Sequence, residues 1–401
     1  MTRKIVALLL IAVLLLSLPA CKEEPQSGTH LDWVFVMGTN QGVLTEEGYY
    51  YSNENSVLCY ADIATGNSVV LCQKVGCKHV YGLEGKERCD AELDINASTL
   101  MFENDKLYYA DHENTLWSRN ATGAELTELG MLAKKFVEEQ KSVHFVSLSA
   151  ICNGYLYYCG NISETKVNGG GEPGPNGNVV GQYISRYNLA QRKEEILVHL
   201  EMKNYAESIQ PIAVRETGVL YLYQEGLDPQ KDWEDAKAKV EAMKTMLVEV
   251  RYLDLTTGKT TTLLSGTYSQ YQTFIALENG KLYYAGNAST NRGVRSYDLA
   301  TGKDTVFYDG ELSSTYYGNG YWLRSKWLDA QTAERHIYDT NTGKTSPCEL
   351  NGNFYTLHQS THGLVMYYND RSTRDGFYYI SYASLADGLQ EADLKFLYVN
   401  S

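Results

Sequence analysis

Apolar and polar residues alternate along most of the chain in short runs, and each run follows a tight turn. Seven of these runs are rich in Tyr, Leu and Val, and they begin at Gly48, Asp105, Gly154, Gly218, Gly280, Gly320 and Gly363. Short runs of this kind, separated by Gly, Asn and Asp turns, predict β-strands joined as hairpins. The spacing of apolar residues typical of helices is missing between the runs, which argues against an α/β fold.

A second pattern alternates with the first and has the form Asp-x-x-Thr-Gly-Lys or a relative of it. The Asp carboxylate can cap the amides of such a turn, and the Gly accepts the positive φ that the turn needs. Each repeat therefore contains two hairpin turns and about four strands, so seven repeats predict an all-β, seven-bladed β-propeller of four-stranded antiparallel blades. The clearest copies are residues 254–259 and 298–303, and weaker ones lie at 62–67, 120–124, 188–192, 339–344 and around Gly388.

The repeat pattern resembles that of a broad group of extracytoplasmic propellers with a Tyr-Asp-Leu-x-Thr-Gly-Lys hairpin, including TolB-like and quinoprotein-like repeats. The resemblance covers essentially the whole mature chain that would remain after removal of a signal peptide. The regular Trp of quinoprotein repeats is missing here, so the resemblance does not imply a quinone cofactor. Recurring WD, Kelch and sialidase Asp-box signatures are also missing from the sequence. The resemblance therefore implies a fold and says little about activity.

The first 30 residues depart from this pattern. Arg3 and Lys4 precede an unbroken apolar run of residues 5–16, which is too short to span a bilayer and typical of a secretory signal. The segment Leu18-Pro19-Ala20-Cys21 then resembles the bacterial lipoprotein signal, which implies that Cys21 is lipidated. The alternative is an ordinary secretory signal that ends near a cysteine. We expect a signal peptide at 1–20, a flexible tether at 21–30 and one propeller domain at 31–401, outside the cytoplasm and anchored to the bacterial membrane.

The distances between turns locate insertions in the propeller. An undecorated blade takes about 40 residues, and the excess lies at about 73–96, 161–181 and 226–247. Residues 228–247 are rich in Ala, Glu, Lys and Met and predict a short helical insertion in blade 4, and 131–141 predict another short helix. Every insertion lies between the second and third strands of a blade or between blades. We expect them on one face, the decorated face, and recognition there, although they could merely shield the rim.

Composition narrows the classes of partner. The 401 residues are 43% hydrophobic and include 33 Tyr, so the chain can bury a core and is not disordered. The net charge of −14 argues against a surface that binds nucleic acid or an anionic membrane, since both kinds of surface favour basic patches. The expected partners are therefore a protein, peptide or glycan on the decorated face, with the membrane reached through the lipid anchor only.

The cysteines carry the most specific chemistry. Cys72, Cys77, His79 and Cys89 lie close in sequence, and three thiolates with one imidazole are a complete set for structural zinc. The arrangement looks like a Cys/His motif in the first blade of lipid-anchored propellers of unassigned function from anaerobic bacteria. A disulfide between Cys77 and Cys89 and a set of unpaired thiols are the alternatives. The remaining cysteines are expected to be small buried apolar residues, namely Cys59, Cys152, Cys159 and Cys348.

Catalytic signals are weak. The sequence contains no Gly-x-Ser-x-Gly, His-Glu-x-x-His or phosphate-binding glycine motif. Asp111, Glu113, Asp329 and Asp370 lie in predicted loops and could serve a hydrolase or lyase of extracellular carbohydrate, but solvated loop residues are the simpler interpretation. No catalytic residue is assigned. The favoured function is a non-enzymatic surface lipoprotein that binds a partner, and the carbohydrate-active enzyme is the alternative.

Overall fold

Tight turns with positive φ join consecutive strands, as the sequence pattern predicts. In the computed structural model of the chain, Asp254 Oδ1 accepts hydrogen bonds from the backbone N–H groups of Thr256 and Thr257 at 2.8 and 2.9 Å. Gly258, which closes this turn, has a φ of 70°. The structure describes residues 33–36, 42–83, 85–93, 99–139, 141–164, 179–204, 207–227, 236–271, 273–286, 293–308, 313–328, 333–370 and 374–398.

The described strands form seven antiparallel sheets in chain order, which confirms the predicted seven-bladed propeller. Each of the seven Tyr-rich runs forms the second strand of its blade. The strands of blades 1 to 3 are β2 (Gly42–Leu44), β3 (Gly48–Ser52), β4 (Leu58–Asp62) and β5 (Ser68–Val70); β6 (Met101–Glu103), β7 (Lys106–Ala110), β8 (Thr115–Asn120) and β9 (Thr127–Met131); and β10 (Lys141–Cys152), β11 (Tyr155–Glu164), β12 (Val179–Asn188) and β13 (Lys193–Glu201).

Blades 4 to 7 repeat the same order. Among the described residues, the longest helix is an insertion in blade 4, between its second and third strands. The strands are β14 (Ser208–Arg215), β15 (Gly218–Gln224), β16 (Leu247–Asp254) and β17 (Thr260–Thr267); β18 (Thr273–Glu278), β19 (Lys281–Ala285), β20 (Val294–Asp298) and β21 (Asp304–Tyr308); β22 (Ser313–Gly318), β23 (Tyr321–Trp327), β24 (Ala333–Asp339) and β25 (Thr345–Pro347); and β26 (Asn353–Gln359), β27 (Gly363–Asn369), β28 (Asp375–Ser381) and β29 (Lys395–Tyr398).

One strand was not predicted. β1 (Val34–Phe35) pairs antiparallel with β14, the first strand of blade 4, through Val34 with Val214 and Phe35 with Ala213. Because β14 is the inner edge of its sheet, β1 extends blade 4 to five strands on the channel side. Trp33, just before β1, lies with its ring 4.6 Å from the guanidinium carbon of Arg215. The chain therefore enters the propeller beside the turn between β14 and β15.

The ring closes by packing between blades 7 and 1 rather than by sharing strands, because each of these two blades is built from one continuous stretch of chain. Tyr398 of β29 stacks on Tyr51 of β3 with ring centroids 3.7 Å apart, and on Phe377 at 4.4 Å. At the surface, Nε2 of His362 lies 2.7 Å from Oε1 of Glu46. The Tyr-rich strands thus supply the apolar contact between neighbouring blades, and burial of the aromatic rings stabilises the closed ring.

The helices in the described part of the chain are short. They are α1 (Lys134–Glu138), α2 (Ala236–Lys244) and α3 (Tyr382–Leu385), with 3-10 turns at Gly85–Glu87 and Glu391–Asp393. α2 confirms a helical insertion in blade 4, and it ends at Lys244, before the end of the predicted range 228–247. Residues 228–235 lie outside the described residues, and Leu247 already belongs to β16, where Val248 and Val250 are buried in the sheet. None of the described helices is long and apolar enough to cross a bilayer.

The insertions lie in the connections that the sequence predicted, and described strands take up part of the predicted ranges. Of the predicted 161–181 insertion, residues 161–164 and 179–181 belong to β11 and β12, and 165–178 lie outside the described residues. The 73–96 insertion falls in the connection between β5 and β6. The predicted signal peptide, Cys21 and the tether all lie within residues 1–32, which are also outside the described residues.

Candidate metal centre and adjoining cleft

The connection between blades 1 and 2, residues 71–100, carries the four predicted ligands. Both of its legs lie against blade 1: the N–H of Leu71 donates to the carbonyl of Leu58 at 3.0 Å, and the N–H of Leu58 donates to the carbonyl of Ala91 at 2.8 Å. The N–H of Leu93 also donates to the carbonyl of Ser56 at 2.9 Å. Both ends of the connection are thus fixed at the start of the same strand, β4. Residues 72 and 89 lie just inside these two ends, so they are brought close together.

Two turns fold the segment between these legs. The N–H of Cys77 donates to the carbonyl of Lys74 at 3.3 Å, and Gly76 has a φ of 74°, which a glycine adopts without strain. His79 also has a positive φ, of 53°. The ammonium of Lys74 donates to the carbonyl of Arg88 at 2.9 Å, which ties the outgoing chain to the returning one. These turns direct the side chains of Cys77 and His79 back toward Cys72 and Cys89.

The structure brings all four predicted residues into one cluster. The Sγ atoms of Cys72, Cys77 and Cys89 and a ring nitrogen of His79 all lie within 4.8 Å of one another. Nδ1 of His79 lies 3.7 Å from Sγ of Cys89, and the three cysteines carry free thiols. Cys89 is buried and the other three are half-buried. The cluster could hold a metal ion, because its ligand types and its spacing match those of a tetrahedral site.

The thiols of the cluster influence one another. Burial works against ionisation of Cys72, but backbone N–H groups of Lys74 and Asp90 and the thiols of Cys77 and Cys89 stabilise its thiolate, so its pKa lies below the ordinary value. Burial, together with the thiols of Cys77 and Cys72, raises the pKa of Cys89 to about 12. Of these two thiols, Cys72 is therefore the one whose environment favours the thiolate.

A buried arginine of blade 2 holds the returning leg, and the sequence analysis missed it. Arg119 lies on β8, and its guanidinium donates to the carbonyl of Glu92 at 2.9 Å, to that of Asp90, and to that of Gly123 at 3.4 Å. Its Nε also donates to the hydroxyl of Tyr109 at 3.1 Å. A lone Arg on a strand carries no sequence signal for this role, because its three carbonyl partners come from distant parts of the chain and from a turn.

A cleft of about 840 Å³ lies between the metal-ligand connection and blade 2. Lys74, Arg88 and Asp90 line it on one side, and Arg119, Glu125 and Leu126 on the other. The connection thus reaches the turn between β8 and β9, at the end of the blade opposite to the decorated face. We call this opposite side, which carries the turns between first and second and between third and fourth strands, the tight-turn face. The two ends of the connection are, however, bonded to Ser56 and Leu58 at the connection between β3 and β4. The placement of this insertion on the decorated face stays a prediction.

The carboxylates considered for catalysis are mostly structural where the structure describes them. Asp111 accepts hydrogen bonds from the N–H groups of Glu113 and Thr115 and from the indole of Trp117, at 2.8–3.0 Å. Asp370 accepts from the N–H of Arg374 at 2.9 Å. Glu113 is exposed, and Asp329 lies outside the described residues. Asp111 and Asp370 therefore cap the loops in which they lie.

The other cysteines largely follow the prediction. Cys59 and Cys152 are buried in β4 and β10, whereas Cys159 and Cys348 are half-buried. Burial raises the pKa of both Cys59 and Cys159 to about 11, so neither is ionised near neutral pH. These thiols therefore behave as small apolar side chains rather than as nucleophiles.

No protein-family model and no curated protein matches this chain. Among solved structures, a puromycin hydrolase S511A mutant complexed with PGG is similar at 11% identity and a TM-score of 0.51, over 86% of this chain and 52% of that one. An acylaminoacyl peptidase from Pyrococcus horikoshii is similar at 11% identity and a TM-score of 0.49, over 88% of this chain and 52% of that one. An oligogalacturonate lyase in complex with manganese is similar at 10% identity and a TM-score of 0.43, over 86% of this chain and 84% of that one. This chain spans about half the length of the two hydrolases, and the likeness shows the fold alone.

Proposed function

We propose that this chain is a lipid-anchored, extracytoplasmic propeller that acts as a non-enzymatic binding scaffold and holds a structural zinc ion. The observation that supports this most directly is the Cys72, Cys77, His79 and Cys89 cluster, whose ligand atoms lie within 4.8 Å of one another. Four protein ligands complete a tetrahedral zinc site and leave no open position for substrate. The zinc would therefore order a connection rather than catalyse a reaction.

The proposed zinc fits the geometry with little rearrangement. A tetrahedral zinc with Zn–S bonds of about 2.3 Å and a Zn–N bond of about 2.0 Å holds neighbouring ligand atoms roughly 3.5 Å apart. The distance of 3.7 Å between Nδ1 of His79 and Sγ of Cys89 already approaches this spacing. Binding the metal would supply ordering energy to residues 72–88, in which no described side chain is buried.

Metal analysis and thiol counting test the zinc proposal. Protein purified without oxygen should contain about one zinc per chain, and Cys72→Ser should lower the metal content while Cys348→Ser leaves it unchanged. Under denaturant and chelator, all the thiols of the cluster should react. Substoichiometric zinc with a mass deficit of about 2 Da would instead show a disulfide, with Cys77 to Cys89 the simplest pair, and would overturn the metal site.

Membrane fractionation tests the lipid anchor. Cys21 follows a short apolar run and a Leu-Pro-Ala sequence, and lipidation of its thiol would hold the protein at the membrane. Wild-type protein should fractionate with membranes and carry a lipid mass, and Cys21→Ala should be released or remain unprocessed. A Cys21→Ala variant that is processed normally and keeps its full membrane association would contradict the anchor.

We expect binding to involve the decorated face, on which the sequence predicts the insertions. We expect a peptide, protein or glycan ligand there, and an array of glycans and peptides probed with the propeller is the direct test. The rival function, a hydrolase or lyase of carbohydrate, gains no support from Asp111 and Asp370, which cap their own loops. Turnover of an arrayed glycan, seen as a product mass, would favour the rival function. Retention without turnover would favour the scaffold.

A further inference from the structure

Arg324 lies on β23, and its guanidinium packs against aromatic rings of two blades. The guanidinium carbon lies 3.7 Å from the centroid of the Tyr338 ring and 4.3 Å from that of the Tyr308 ring. Tyr338 belongs to β24 of blade 6, and Tyr308 is the last residue of β21 in blade 5, so Arg324 lies in the seam between these blades. Packing of this kind uses the flat faces of a guanidinium and leaves the N–H groups at its edge for hydrogen-bond acceptors.

The described part of the chain supplies no anionic partner for this arginine. No described carboxylate forms an ion pair with Arg324 or contributes to its pKa. The Nε atom of Arg324 is buried and, among the described residues, has no hydrogen-bond partner. Burial lowers the pKa of Arg324, and the hydroxyl groups of Tyr338 and Tyr308 offset this effect only in part. The described residues therefore hold a positive charge in a half-buried position without a counter-ion.

Three other arginines of the propeller contact a Tyr in a similar way but carry their own counter-ion. Each lies on the third strand of its blade, contacts a Tyr of the second strand, and pairs with a carboxylate at an N–O distance of 2.6–2.9 Å: Arg186 with Glu195, Arg251 with Glu249, and Arg295 with Asp304. Burial opposes the charge of Arg186 and Arg251, but in all three pairs the carboxylate raises the pKa of the arginine above its ordinary value. Arg324 has the aromatic contact without the acid, so the place of the acid is left to an acceptor from outside.

The side chains beside Arg324 do not cancel its charge. His336 lies directly opposite Arg324 on β24, and Lys326 lies two residues further along β23, away from the tight-turn face, so the three bases share one face of the sheet. Glu334 is the acid of this group: it lies opposite Lys326, and its Oε1 atom is 3.6 Å from Nε2 of His336. Lys326 and Glu334 balance each other, so the charge of Arg324 remains and attracts an anion.

We propose that Arg324 binds an oxyanion, the carboxylate or phosphate group of a ligand, in the seam between blades 5 and 6. The edge of a guanidinium carries N–H groups in a planar fork that matches two oxygens of either anion, and the two Tyr rings hold this fork in place. A water molecule could complete the hydrogen bonds of Arg324 but could not balance its charge. The inference rests on the proposed binding function and deepens it, because it makes the ligand of the propeller acidic rather than neutral.

Titration with bare anions tests the site without assuming a natural ligand. In protein that contains isotope-labelled arginine, the Nε–H resonance of Arg324 is identified by its loss in Arg324→Lys. Sodium acetate or sodium phosphate, added at constant ionic strength, should shift this resonance until it saturates. The Nε–H of Arg295 already donates to Asp304, so its resonance is the internal control and should stay in place. An unshifted Arg324 resonance, or equal shifts of both resonances, would overturn the site.

Three sugars that share one ring separate the two anions and test the link to ligand binding. Glucuronate or glucose phosphate should bind more tightly than glucose in calorimetry, and the tighter of the two identifies the anion. Arg324→Met should lower this preference at least about tenfold, whereas the control Arg295→Met should keep it. Arg324→Lys retains the charge without the fork and should also weaken the binding, which keeps the test valid if Arg324→Met does not fold.

The outcomes separate this inference from the proposed function. Saturable binding of acetate or phosphate without preference for either acidic sugar would show an adventitious ion only and would overturn the acidic ligand. A preference that survives in Arg324→Met would place the anion elsewhere and would also overturn the inference. A neutral glycan or peptide retained on the array equally by wild type and Arg324→Met would leave the binding function intact and contradict the oxyanion site alone. Loss of an acidic array ligand in Arg324→Met, but not in Arg295→Met, would support both.

Discussion

Two neighbouring connections solve the same structural problem by different means. The connection from blade 2 to blade 3 contains α1 and anchors itself by apolar burial: Leu132, Ala133 and Phe136 are at most 1% exposed. The ring of Phe136 lies 5.0 Å from that of Tyr183 in blade 3. The connection from blade 1 to blade 2 buries no described side chain from residue 72 to 88 and instead gathers three thiols and an imidazole.

The difference shows what a long connection needs in order to be ordered. Fixing a residue in one conformation costs about 1–2 kcal/mol, so a connection must gain a compensating interaction. Apolar side chains stabilise a connection by packing against the blades, and this stabilisation extends into the core. Metal ligands would stabilise a connection only at the metal site, and only while the metal is bound. We expect substitutions in the two connections to differ in how far their effects extend.

The largest effect should come from removing the apolar anchor. Phe136→Ala deletes a fully buried ring and should lower the free energy of unfolding by about 3–5 kcal/mol, measured by chemical denaturation. The adjacent Val137 is 41% exposed, and Val137→Ala is the control, with an expected change within about 0.5 kcal/mol. Equal effects of the two substitutions would show that α1 is not anchored by its apolar face.

Removing the arginine that fixes the connection between blades 1 and 2 should cause the second largest loss of stability. Arg119→Met leaves the carbonyls of Asp90, Glu92 and Gly123 without their donor and should lower the free energy of unfolding by about 2–3 kcal/mol. Arg295 lies on the third strand of blade 5, where it is 41% exposed and pairs with Asp304, so Arg295→Met should cost at most about 1 kcal/mol. If the two substitutions lower the free energy of unfolding equally, Arg119 does not tie the connection to blade 2.

Metal removal should have a smaller and more local effect. Chelation, or Cys77→Ser, should shift the thermal midpoint by only a few degrees, because residues 72–88 contribute little to the core. Hydrogen exchange should rise sharply across 72–88 and stay unchanged across 132–139. Cys348→Ser, outside the cluster, is the control for loss of a thiol. Exchange that rises equally in both connections would contradict the separation between them.

The smallest effect should come from the helical insertion of blade 4. Most described residues of α2 are exposed or half-buried, whereas Leu227 and Met246 at its base are buried. Replacing residues 230–244 with a Gly/Ser linker keeps this base and should change the free energy of unfolding by at most about 1 kcal/mol. The linker variant should, however, lose ligand binding on the decorated face. Extending the linker through Met246 is the informative contrast, since loss of that buried side chain should destabilise blade 4.

Local turn chemistry made the propeller predictable. Hairpin turns such as the one at Asp254 depend on a few adjacent residues, so their geometry can be read from the sequence, and seven pairs of turns imply seven blades. The four ligands of the candidate site were predictable for the same reason, because they lie within 18 residues of chain. The bounds of α2 were less predictable: residues 245–247 suit a helix by propensity, but pairing of β16 with β15 and β17 ends the helix at Lys244.

What the sequence by itself determined is therefore the order of strands, the blade count and the four Cys/His residues of the candidate site, because each depends on residues close together in the chain. Only the tertiary structure decided which distant groups meet. It placed β1 on the inner edge of blade 4, it directed Arg119 to carbonyls of another connection, and it formed a cleft between that connection and the turn that joins β8 and β9. These contacts join residues as much as 180 positions apart along the chain, and backbone hydrogen bonds of this kind are available to any residue type. No local pattern marks the residues that will use them.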